Sequence, residues 1–145
     1  MIKAYLKRNW LLHEMRKLRF IRLWLTIGFM LVGVVCFLTL TPSPPDMGDL
    51  PESDKIGHLV AYCVIMLWFG FIYLHGRSYI RIGFAFLAMG IVLESIQGML
   101  GYRNFSYLDM CANACGVIIG WLLARTRLAD TLVYVEGKFW DNRVL

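Results

Sequence analysis

Residues 23–45 hold no charged side chain. The apolar part of that run, residues 23–40, would measure about 27 Å as a helix, close to the roughly 30 Å hydrocarbon core of a bilayer. Three further apolar runs of comparable length follow, at residues 57–74, 82–100 and 108–124. A soluble chain of 145 residues that is 59% hydrophobic and only 17% charged could not hide its apolar surface in one core, since ordinary soluble domains carry roughly 25% charge. The expected fold class is therefore all-α, an integral membrane four-helix bundle. The first run follows a basic segment, as a secretory signal would. No small-x-small cleavage site comes after it, and Thr41-Pro42-Ser43-Pro44-Pro45 reads as a helix stop, so it is taken as a retained span. Val34 and Val35 stand where a lipidated Cys36 would want a small residue.

Lys and Arg placement gives an orientation. Lys3, Lys7, Arg8, Arg16, Lys17, Arg19 and Arg22 precede the first span, Arg77 and Arg81 join the second to the third, and Arg125, Arg127, Lys138 and Arg143 follow the fourth. Only Lys55 and Arg103 fall on the other side. The positive-inside rule then predicts a multi-pass protein of the cytoplasmic (inner, plasma) membrane with both termini cytoplasmic. Three regions are expected: a basic amphipathic arm over residues 1–22, helical on the inner membrane surface; a four-span domain over 23–124; and a cytoplasmic tail over 125–145. The basic clusters suit anionic lipid headgroups, and no nucleic-acid partner is expected. Cys36, Cys63, Cys111 and Cys115 all lie in apolar segments and form no disulfide framework.

Ionisable and amide side chains inside a span are costly and usually face a partner or a task. Asp54, His58 and Tyr62 recur every four residues, with Lys55 beside them, at the start of the second span. Glu94 and Gln97 are neighbours near the end of the third, on a stripe shared with Gly83, Gly90 and Gly101. Asp109 and Asn113 open the fourth, followed by Gly116 and Gly120. At 1.5 Å per residue Glu94 lies about 9 Å below its boundary, and Tyr62 and Asn113 about 7.5 Å below theirs. Three segments thus place polar groups at one depth on faces able to pack together, beside a loop containing Arg103.

Each residue also has a plainer role. Ser106 with Asp109 has capping-box spacing and Ser53 suits a helix start; Lys55 can snorkel; Gln97 and Asn113 can be interhelical hydrogen bonds; Tyr62 suits an interfacial belt. Glu94 is the hardest to dismiss, because a carboxylate at that depth needs a cation or a proton. Metal ligation is not expected: Cys111 with Cys115, or His58 with Glu94 and Asp109, lack the density of a His-Glu-x-x-His motif. No cofactor is expected either, for no phosphate loop or nucleophile elbow occurs.

Set in order, the residues read Asp54-Lys55-x-x-His58-x-x-x-Tyr62, Glu94-x-x-Gln97, and Arg103-x-x-Ser106-x-x-Asp109-x-x-x-Asn113-x-x-Gly116. This pattern resembles the VanZ-like family of small membrane proteins over residues 41–124. The resemblance implies a site built from Asp54, Lys55, His58, Tyr62, Glu94, Gln97, Arg103, Ser106, Asp109 and Asn113, and a link to tolerance of the glycopeptide teicoplanin, with which the founding member is associated.

Three functions compete at this stage. The first is binding or modification of a lipid-linked envelope precursor or an amphiphilic antibiotic at an outer-leaflet patch, with membrane lipids as further partners and a homo-oligomer left open. The second is an intramembrane enzyme with His58 as acid or base and Glu94 or Asp109 assisting it. It ranks lower for want of a nucleophile. The third is a structural or assembly role in which the polar groups specify helix packing.

Overall fold

The computed structural model describes residues 15–42, 53–73, 76–101 and 105–141. Over these the chain is all-helical: α1 (Ile21–Leu40), α2 (Ser53–Ile72), α3 (Arg77–Leu100), α4 (Tyr107–Leu123), a 3₁₀ turn (Arg127–Asp130) and α5 (Thr131–Asp141). The first three are each long and apolar enough to cross a membrane. At 17 residues α4 falls just short, and it reaches span length only together with the segment through Phe139, from which it is bent by 74°.

Local chemistry sets the boundaries. The helix α1 ends where Pro42 disfavours the helical conformation of its predecessor; Thr41 is extended, and its hydroxyl donates to the Phe37 carbonyl at 2.7 Å. Hydropathy places the start of the third span at Ile82, but α3 begins at Arg77, since backbone hydrogen bonding does not require apolar side chains. It ends at Gly101 in the left-handed conformation (φ 75°), which glycine adopts without the steric penalty of a Cβ. Gly101 is thus a terminator with open space around it, not part of the packing stripe expected of it. Ser106 caps α4, its hydroxyl accepting the Asp109 N–H at 3.2 Å.

Helix α2 is the centre of the bundle. Tyr62, Ile65, Met66 and Phe69 are buried along it, against Val35, Tyr79, Phe86 and Val117 from α1, α3 and α4. Gly116 and Gly120 bring α4 onto α2 so closely that a Cβ on Gly120 would sit 2.5 Å from the Cys63 carbonyl and one on Gly116 would collide with that of Leu59. Small residues four apart permit this backbone approach. The paired numbers rise together, so α2 and α4 run parallel, while Gly83 against Met66 and Gly90 against Tyr62 set α3 antiparallel to both. Outward-facing Phe29, Met30, Phe37, Phe84 and Met99 are at least 65% exposed, an apolar periphery suited to lipid.

The described part of the N-terminal arm departs from the helix expected of it. Residues 2–14 of the arm lie outside the described residues, but residues 15–20 are not helical. Met15 instead pairs with Tyr73 in an antiparallel bridge, and the Arg16 N–H donates to the Ile72 carbonyl at 2.9 Å. The Ile72 carbonyl, in the last turn of α2 where no helical N–H follows to meet it, offers a backbone partner that a surface helix would forgo. The tail likewise packs back on the bundle: Ala129 and Leu132 are buried, Leu132 together with Leu18 and Ile72, and Arg16 pairs with Asp130 at 2.6 Å. Glu136 accepts hydrogen bonds from the Arg19 and Phe20 N–H groups (2.7 and 2.9 Å) and from the Trp24 indole (2.7 Å). It places a carboxylate at the N-terminus of α1, where the helix dipole favours negative charge. The described residues before α1 and after α4 therefore meet at the end of the bundle opposite the polar residues.

Candidate functional site

The site forms where α2, α3 and α4 converge at the end distant from the chain termini. Asp54 lies in the first turn of α2 and Asp109 in that of α4. The parallel α2–α4 packing fixed by Gly116 and Gly120 brings these two helix starts side by side. His58 and Asn113, each four residues farther in, meet between them: His58 Nδ1 and Asn113 Oδ1 are 3.1 Å apart. An amide oxygen only accepts, so the ring carries its proton on Nδ1 and turns Nε2 away from Asn113. That nitrogen lies 4.0 Å from Asp54 Oδ1. Ligand atoms of Asp54, His58 and Asp109 all fall within 4.8 Å of one another, with His58 and Asp109 buried and Asp54 exposed.

One turn deeper, Gly90 of α3 leaves room for two polar groups. A Cβ there would sit 3.2 Å from Asn113 Nδ2 and 3.3 Å from the Tyr62 hydroxyl. That hydroxyl is buried and has no hydrogen-bond partner among the described residues. Asn113 thus faces His58 with its oxygen and the Tyr62 side with its nitrogen.

Glu94 and Gln97 are each 1% exposed. Glu94 Oε1 accepts the Ser106 N–H at 2.6 Å, tying α3 to the N-cap of α4. Gln97 Nε2 donates to the Thr39 carbonyl at 2.6 Å, tying α3 to the last turn of α1. Gln97 therefore works as interhelical glue, and Ser106 as a cap. Lys55 follows Asp54 and is half-buried. Arg103 lies outside the described residues. Among the described residues this end carries the carboxyl groups of Asp54, Glu94 and Asp109 alongside one fixed cation, Lys55.

Two features were not legible in the sequence. The ligand set that the fold assembles uses Asp54 in place of Glu94; the signal was present in the four-residue spacing of Asp54 and His58, but its relation to Asp109 depends on α2 and α4 being parallel neighbours. Cys111 and Cys115, the alternative pair, are exposed and lie apart from it. The Thr39 carbonyl, as partner of Gln97, carries no side-chain signal at all.

No family model, characterised protein or solved structure matches this chain. The chemistry of the site stands on its geometry. It offers an oriented imidazole, one exposed carboxylate, two buried carboxylates and a buried phenol, within a bundle that is otherwise apolar.

Proposed function

We propose that the chain is a VanZ-like protein of the cytoplasmic membrane that binds or modifies a lipid-linked or amphiphilic cell-envelope molecule at this polar end, with a link to glycopeptide tolerance. The observation that carries this reading is the burial of His58, Glu94, Asp109 and Asn113 together at one end, with the Tyr62 hydroxyl beside them. Packing alone does not account for a buried hydroxyl left unpaired among the described residues, because such groups cost free energy unless something meets them. Both termini are inside in this account, following the Lys and Arg distribution, so the polar end faces outwards and Asp54 forms its mouth.

Recognition would be divided by chemistry. Lys55 and Arg103 meet anionic headgroup oxygens, while Asp54, Asp109 and His58 meet amines or hydroxyls. The apolar tail of the ligand lies along the lipid-facing surface. A second reading, an intramembrane enzyme, draws support from the hydrogen bond that orients His58 and from Nε2 lying 4.0 Å from Asp54 Oδ1, with Asp109 close to both residues. It predicts that His58→Gln abolishes turnover with affinity nearly intact, whereas binding predicts that affinity falls in step with function.

The test is a photo-reactive residue placed at Ile56, exposed on the lipid side of the same turn of α2 that carries Asp54 and His58. In cells it should form adducts with an envelope lipid or precursor that are absent when the same group replaces Val133, exposed on α5. Equal adducts with bulk phospholipid at both positions would overturn the proposal.

A further inference from the structure

We infer that Asp54, His58 and Asp109 form a binding site for a divalent transition-metal ion. One imidazole nitrogen and two carboxylate oxygens come within 4.8 Å of one another. Atoms at the corners of such a triangle lie about 2.8 Å from its centre, so shifts of under about 1 Å give the 2.0–2.2 Å bonds of zinc to nitrogen and oxygen. An ion pair explains Asp54 with His58, but it does not explain Asp109. That carboxylate is 6% exposed and lies beside the exposed Asp54 carboxylate, and a divalent cation held by both would offset their repulsion.

Two observations outside the triangle agree. Asn113 Oδ1 holds His58 through Nδ1, which is how metal-bound histidines are usually fixed, by donating the non-ligating N–H to an outer acceptor. The Tyr62 hydroxyl, on the same face of α2 one turn deeper and beside Asn113, is buried without a partner among the described residues. Such a buried hydroxyl calls for a polar partner. The imidazole favours zinc, or another later transition metal such as nickel or copper, over calcium or magnesium, which take oxygen ligands. Three protein ligands leave a coordination position open, and exposed Asp54 gives the ion a way in.

This inference concerns the same polar end as the proposed function but rests on donor geometry, and its assay contains no envelope molecule. Failure here therefore leaves the cross-linking result to judge the proposed function. The full chain carrying Cys111→Ser and Cys115→Ser, which removes two exposed thiols, is purified in detergent, stripped with chelator and titrated with Co²⁺, followed by visible absorption and competition with Zn²⁺. One equivalent should bind per chain and be displaced by Zn²⁺. Losing an outer acceptor typically costs ten- to hundredfold in affinity, so Asn113→Leu should weaken binding by about that factor, and His58→Gln and Asp109→Asn by at least about a hundredfold. Asp54→Asn, at an exposed position, should weaken it with helical content unchanged by circular dichroism. Absence of saturable binding in the parent, a preference for Mg²⁺ or Ca²⁺, or unchanged affinity in Asp54→Asn and His58→Gln would overturn the assignment.

Discussion

Replacing Gly116 by alanine adds one methyl group where α4 touches α2. That methyl would meet the Leu59 carbonyl oxygen, Tyr62 Cβ at 3.0 Å and Cys63 N at 3.1 Å. Two of these three atoms belong to backbone inside a helix, so no rotamer change relieves the clash. The helix α4 has to withdraw by about 1 Å to restore ordinary van der Waals separations. Overpacking of this kind typically costs about 1–3 kcal/mol, against which alanine's helix propensity returns up to about 1 kcal/mol. A net loss of about 1–2 kcal/mol is expected. The consequence reaches the site, because Asn113 lies one turn before Gly116 and its 3.1 Å contact with His58 would stretch beyond hydrogen-bonding distance. Gly120→Ala meets the Cys63 carbonyl and Met66 Cβ and should behave alike. The double variant should cost less than the sum of the two, since one withdrawal accommodates both methyls. Unfolding in mixed micelles with increasing denaturing detergent measures these differences. Gly33→Ala, with nothing within 4 Å, is the control. A Gly116→Ala variant as stable as Gly33→Ala would refute the reasoning.

Gly90→Val should displace Asn113 and Tyr62 and abolish ligand adducts at the polar end while helical content persists, as circular dichroism and cross-linking would show. At the opposite end, Glu136→Ala should release α5 and cost about 1–3 kcal/mol in docking of the tail, seen as faster proteolysis after Arg125 or Arg127. Burial alone would raise the Glu136 pKa, but the N–H groups of Phe20, Trp24 and Arg19 and the Arg19 charge outweigh it and hold the carboxyl below its ordinary 4.5. A depressed folded value means that this contribution is complete above pH 4.5 and is lost as pH falls through the folded pKa, so protease resistance of the tail should drop only in acid. Single cysteines at Met47 or Asn104 in a cysteine-free chain should react with an impermeant thiol reagent in intact cells, and those at the exposed Arg77 or Lys138 should not; the reverse pattern would invert the orientation.

The spans were legible because a bilayer demands long apolar runs, and each of α1 to α4 overlaps the run expected of it. Their polar stripes were legible for a related reason: Asp54, His58, Glu94, Asp109 and Asn113 are conspicuous in segments where nearly everything else is apolar. Helix ends were less so. The start of α3 at Arg77 and the stop at Gly101 are decided by backbone hydrogen bonds and a left-handed residue, which hydropathy does not register. The docking of the tail was hidden because Glu136 sits in a charged segment, where one acid among Lys138, Arg127 and Asp130 has no distinguishing mark until α1 presents three N–H groups to it. The ligand triangle depended on register between α2 and α4, which Gly116 and Gly120 set but which their spacing alone does not specify.

Glu94 separates a working charge from a packing contact most directly. Its Oε1 accepts the Ser106 N–H at 2.6 Å, and a glutamine amide oxygen can do the same. Glu94→Gln therefore keeps this tie between α3 and α4 while it removes charge and proton exchange. The measurement is the yield of envelope-lipid adduct from the photo-reactive residue at position 56 in cells, compared between the parent and Glu94→Gln at equal accumulation. If the buried carboxylate serves the ligand, the variant should accumulate normally and its adduct should fall by at least about tenfold, the equivalent of one charge-assisted hydrogen bond. An undiminished adduct, with undiminished glycopeptide tolerance, would mean that Glu94 only holds helices together and would contradict the account.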